Sequence, residues 1–161
     1  LTWMHNGDIK PVINLQKYVY QHCQESILKN IKGNTDSEYV FAIFLHLLLI
    51  ENCHKITFPL NTLKKVFKKT IKIILDLVNQ ETCSLNIAFT DGKTIICSRF
   101  INNSKENPPS LYYSLIKKMS KKYMIISSEP INTNSEEWKL IPKNHFLIYT
   151  SKKNKKICKI M

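Results

Sequence analysis

The sequence predicts an α+β fold, with helices gathered in the first half and an antiparallel meander in the second. Up to Val78 the apolar residues recur at three- and four-residue steps, and from Ser84 they recur every second residue. Glycine placement agrees with that division. The chain has only three glycines, well below the usual share of about 7%. Gly7, Gly33 and Gly92 all fall where an element is expected to stop or turn.

The elements follow in order. Leu1 to Met4 is apolar and runs into Asn6-Gly7, which reads as a short strand ending in a tight turn. Pro11 suits the first turn of a helix, and Val12, Leu15, Val19, Cys23, Ile27 and Ile31 continue its stripe to about Lys32. Gly33 then stops it. A second helix is expected from about Asp36 to Asn52, capped by Thr35 or Asp36, with Glu38 placed for a capping box. It is apolar on nearly all sides and is therefore expected to be buried on both faces.

Pro59 marks a break, after which Asn61 or Thr62 caps a third helix. Its stripe is Leu63, Val66, Phe67, Ile71, Ile74, Leu75 and Val78, with lysines opposite. Leu85, Ile87 and Phe89 then alternate with Asn86 and Ala88. Asp91-Gly92 turns the chain, and Thr94 to Phe100 returns as the partner strand. A polar loop with two prolines spans residues 102–109. Strands are expected at 111–115 and 123–127, and shorter ones at 138–141, 146–150 and 156–160, with a turn at Ser135 to Trp138.

At 161 residues the chain has the size of one domain with a real core, and its composition does not suggest disorder. The net charge of +12 invites a nucleic-acid reading, but Arg99 is the only arginine. Bidentate phosphate and base recognition favours arginine, and the lysines are spread along the chain, so a solvated basic surface is the reading taken. The longest apolar run, Tyr39 to Ile50, contains His46 and is too short to span a bilayer. Five cysteines (Cys23, Cys53, Cys83, Cys97 and Cys158) include no CxxC pair. The neighbours His22-Cys23 and Cys53-His54 are a weak basis for metal, so neither a metal nor another cofactor is expected. Reduced thiols fit a cytoplasmic setting.

Two segments carry chemistry. In Met4-His5-Asn6-Gly7 a side-chain amide and a backbone N–H stand side by side, and two such donors can hold an oxyanion. Gly33-Asn34-Thr35-Asp36-Ser37-Glu38 sets a carboxylate at a helix start. His5 faces away from Asn6 by strand alternation and reads as a packing or hydrogen-bonding histidine.

With Ala88 to Gly92, Cys97 to Phe100, Ser110 to Tyr113, Ser127 to Pro130 and Trp138 to Asn144 following in order, the series resembles the class II (N-terminal nucleophile) glutamine amidotransferases. Within them it is most similar to the fungal-type branch that cleaves γ-glutamyl bonds of glutathione as a subunit of a degrading complex. The likeness covers nearly the whole chain.

The resemblance implies an αββα sandwich of antiparallel sheets and helical layers, to which this chain contributes two helices and one sheet's worth of strands. It implies hydrolysis of a γ-glutamyl amide, in glutamine or glutathione, by an N-terminal cysteine through a thioester. Asn6 and Gly7 would form the oxyanion hole, and Asp36 would hold the substrate's α-ammonium. A peptidase-like subunit is implied as partner in a hetero-oligomer, with neither nucleic acid nor membrane involved.

The sequence departs from that pattern at two places. Residue 1 is Leu where the family has its nucleophilic Cys, and the family's arginine-bearing strand that grips the α-carboxylate is not found. The expectation is therefore a domain incomplete at its N-terminus and inactive alone. Against it stands the reading of a non-catalytic remnant that binds a partner subunit. Ser128-Glu129 is read as a turn cap, not as catalytic.

Overall fold

The computed structural model describes residues 1–51, 58–119, 121–132, 134–150 and 155–160. They form two compact units, one of Leu1–Gly7 with Ser84–Met161 and one of Asp8–Cys83. Cys53 and His54, weighed above as metal ligands, lie outside the described residues.

The second unit is helical: α1 (Val12–His22), α2 (Glu25–Leu28), α3 (Asp36–Glu51) and α4 (Leu60–Val78). In α4 the stripe Leu63, Val66, Phe67, Ile71, Ile74 and Val78 is buried, while Lys65, Lys68, Lys69 and Lys72 are exposed. Burying each such side chain contributes about 1.5–3 kcal/mol. The helix closes at Asn79, which takes the left-handed conformation that ends many helices. On α3, Phe44 meets Phe67 of α4 edge to face at 6.0 Å between ring centroids. Burial on α3 runs from Tyr39 to Leu48, but Leu49 and Ile50 are exposed.

One helix was expected over 11–32, and two are found. The chain goes extended at Cys23 and Gln24, with ψ of 146° and 151°. The Cys23 thiol meets the Ala42 carbonyl at 3.8 Å, and Ile27 is still buried beyond the break. The apolar spacing therefore survives the interruption, which is why periodicity alone did not reveal it.

The other unit holds two sheets. Five strands lie in the order β1 (Thr2–Asp8), β2 (Ser84–Thr90), β3 (Thr94–Arg99), β7 (His145–Thr150) and β8 (Lys156–Lys159). Three more follow the order β5 (Lys121–Ser127), β4 (Tyr112–Lys118) and β6 (Lys139–Leu140). The β2–β3, β3–β7, β7–β8, β4–β5 and β4–β6 pairs are all antiparallel. The expectation of one sheet's worth of strands is thus corrected to two sheets.

Ala88, Cys97 and Leu147 of the larger sheet pack with Leu111, Tyr113 and Ile141 on the side of the smaller one. Ile95, Met124, Ile126, Tyr149 and Ile157 complete that interior. The β2–β3 turn is set by Asp91, whose Oδ1 accepts the N–H groups of Lys93 at 2.9 Å and Thr94 at 2.7 Å. Gly92 takes a φ of 85° there.

Candidate functional site

The Asn6-Gly7 pair does not turn the chain. β1 runs straight through it to Asp8, with alternate residues exposed and half-buried. The reason is a close backbone approach: a Cβ on Gly7 would run into the Ser84 carbonyl oxygen and come within 2.7 Å of His5 Nε2. His5 lies on the opposite face from Asn6 and meets that same Ser84 carbonyl through Nε2 at 3.3 Å. The packing role read for it from alternation is what the geometry gives.

Asn6 is exposed and stands on a cleft of about 280 Å³ that is also lined by Asn86, Leu111, Ser127 and Ser128. Its Nδ2 donates to Ser128 Oγ at 3.5 Å, the long end of the hydrogen-bond range. Each carboxamide nitrogen carries two protons, so one donor remains for a bound oxygen.

A brace of cations holds the loop behind this cleft. Arg99 is buried, and its guanidinium donates to the carbonyls of Pro109 (3.0 Å), Pro108 (3.0 Å) and Ile141 (3.3 Å). Burial lowers its pKa from the ordinary value. The Lys143 ammonium donates to the carbonyls of Asn103 (3.2 Å), Ser104 (3.0 Å) and Glu106. Asn86, 3% exposed, donates through Nδ2 to Pro109 O at 2.7 Å and Ser110 O at 3.3 Å. Ser110 Oγ in turn donates to the Ser128 carbonyl at 2.8 Å. Replacing Arg99 with Lys keeps a charge but removes the planar fork that serves three carbonyls. A loss of about 2 kcal/mol in unfolding free energy is expected, read from the shift in urea midpoint.

Asp36 stands in the helical unit, as the first residue of α3. Its Oδ1 accepts the Ser37 N–H at 2.7 Å and the Ser37 hydroxyl at 3.3 Å. The cap itself falls to other residues. Thr35 Oγ1 accepts the Glu38 N–H at 3.4 Å, and the Glu38 carboxylate accepts Lys32 N–H (3.0 Å) and Gly33 N–H (3.1 Å). Those bonds, Lys32's first, hold the Glu38 carboxyl below its ordinary pKa.

Among the described residues no cysteine lines the cleft. Burial pushes the Cys23 and Cys83 thiols up to about 11 and raises that of Cys97 as well. All three are expected to resist iodoacetamide at pH 8 in the native chain and to react once it is unfolded, as followed by peptide mass spectrometry. Among the described residues no group of three His, Cys, Asp or Glu side chains could hold a metal, and no helix is long and apolar enough to cross a membrane.

Sequence reading gave Ser128, Asn86 and Arg99 no part in the site. Ser128 had been read as a turn cap, and nothing local shows that it faces Asn6 from 122 residues away.

No family model matches the chain. It is 27% identical to the probable glutamine amidotransferase DUG3 of Saccharomyces cerevisiae, over 91% of this chain and 49% of that protein. The chain thus spans about half the length of that curated relative. Among solved structures, a glutamine aminotransferase class-II domain protein from Silicibacter pomeroyi matches with a TM-score of 0.69 at 20% identity, covering 98% of this chain and 66% of the other. A predicted glutamine amidotransferase from Pseudomonas aeruginosa matches at 0.57 and 15%, covering 94% and 58%. The glutamine phosphoribosylpyrophosphate amidotransferase of B. subtilis matches at 0.61 and 13%, covering 99% and 29%. At these identities the solved structures speak to the fold, and they agree with the α+β arrangement.

Proposed function

We propose a function from kinship and site together: the chain is a relative of the class II glutamine amidotransferases, and Asn6 and Gly7 form the oxyanion hole of a γ-glutamyl amide hydrolase. The observation that carries this is the Asn6 carboxamide on the cleft, its nitrogen turned toward Ser128 with one proton to spare. Glutamine or a γ-glutamyl peptide such as glutathione is the substrate class.

A thiolate attacks the γ-carbonyl carbon, and the carbonyl π electrons move onto oxygen. Asn6 Nδ2–H and Gly7 N–H hold that negative charge. The thiol's proton, taken by the nucleophile's own α-amine as general base, passes to the leaving nitrogen as the C–N bond breaks, the amine departs, and a thioester remains. Water hydrolyses the thioester, releasing glutamate and regenerating the thiol. Asp36 pairs with the α-ammonium, a charge-assisted contact of about 1.5–3 kcal/mol. The attacking thiol is the N-terminal cysteine of the family mechanism, and none of these 161 residues is assigned that role. Work in the cytoplasm beside a peptidase-like subunit fits this reading.

The test is glutamate release. The isolated chain should release none from glutamine or glutathione, whereas a whole protein that carries an N-terminal cysteine segment ahead of these residues should turn over one of them, as followed by mass spectrometry. Turnover by the isolated chain, or a whole protein inert toward both, overturns the reading.

A further inference from the structure

We propose that Ser128 is a positioning residue for the Asn6 carboxamide, and that the braced loop over residues 103–110 exists to hold Ser128 in place. The inference rests on the reading of Asn6 as an oxyanion donor. A carboxamide can rotate by half a turn and present oxygen instead of nitrogen, which would place a negative dipole where the oxyanion forms. Something must decide between the two ends.

Asn6 is exposed, so packing does not decide it. The contact at its nitrogen is Ser128 Oγ at 3.5 Å. A hydroxyl can serve either end in principle, so its own placement matters. Ser128 immediately follows β5, and its carbonyl is tied by the Ser110 hydroxyl at 2.8 Å.

The tie is only as firm as Ser110, and Ser110 closes a segment pinned at successive carbonyls. Lys143 takes Asn103, Ser104 and Glu106, Arg99 takes Pro108 and Pro109, and Asn86 takes Pro109 and Ser110. Arg99 and Asn86 are both buried, so their own bonds lie away from bulk water, while those of Lys143 are more exposed. The loop is tied by two cations and an amide, and its last residue reaches the serine beside Asn6. Long hydrogen bonds of this kind commonly tighten once substrate is bound.

Two measurements test the proposal, and neither depends on the other. In the whole protein, Ser128→Ala should lower kcat about tenfold with KM within about twofold, because a misaimed donor is lost in the transition state more than in the ground state. Ser128→Thr, which restores the hydroxyl, should recover most of the rate. In an Asn6→Ala background, Ser128→Ala should cost nothing further. A Ser128→Ala enzyme with unchanged kcat, or one whose loss adds to that of Asn6→Ala, overturns the proposal.

If Asn6→Ala itself leaves kcat intact, the oxyanion reading fails, and the positioning role with it. If Asn6→Ala is slow but Ser128→Ala is not, only the positioning role fails. The second measurement needs no turnover. In the 15N-labelled 161-residue chain, Ser128→Ala should move the Asn6 side-chain proton pair and speed its exchange, and Ser110→Ala should do so to a smaller degree. An Asn6 signal that ignores both substitutions overturns the proposal.

Discussion

Gly7→Ala is expected to destabilise the protein by about 3 kcal/mol, at the upper end of what an added methyl group costs in a packed site. The new Cβ would overlap the Ser84 carbonyl oxygen and crowd Ser84 C at 2.8 Å, and these are backbone atoms with no rotamer to escape into. Only a separation of β1 from the start of β2 relieves the clash. Gly92→Ala is the control: it has open space around it and a φ of 85°, so its cost is the left-handed penalty alone, about 1–2 kcal/mol. Urea midpoints of the two variants measured side by side should fall in that order. A Gly7→Ala protein as stable as the parent would mean that β1 does not lie against Ser84.

Asn6→Ala is expected to lower kcat of the whole protein by about 10²- to 10³-fold, corresponding to about 3 kcal/mol of lost transition-state stabilisation. KM should change little, because the donor meets charge that develops only as the carbonyl is attacked. Stability should stay within about 0.5 kcal/mol, since Asn6 is exposed and its one bond to Ser128 is long. Steady-state kinetics alongside a urea melt separates the two effects. A rise in KM at constant kcat would make Asn6 a binding residue instead.

The helices and most strands were legible because each is specified by its own repeat. The α4 stripe and the β2–β3 hairpin with its Asp91-Gly92 turn can be read without reference to any distant residue. The break at Cys23 was not legible, because the apolar spacing continues across it to Ile27. Asn6-Gly7 was singled out for its two N–H donors, and the turn expected there is not found. Two residues that commonly turn a hairpin lie here within a strand, and the glycine is required by Ser84, 77 residues on. The Asp36 cap was one of two alternatives in the sequence, and the hydrogen bonds of Thr35 and Glu38 decide it. Ser128 stayed hidden for another reason: its partner Asn6 is 122 residues away in sequence.

The buried fork at Arg99 also bears on how this composition is to be understood. The chain writes almost every cation as lysine, the residue that an A/T-leaning code favours, and keeps a guanidinium at one place. That place is where one guanidinium donates to three peptide oxygens. What lysine cannot supply at that position is stereochemistry and not charge. A library randomised at position 99 should therefore return arginine, even though lysine is the house choice everywhere else.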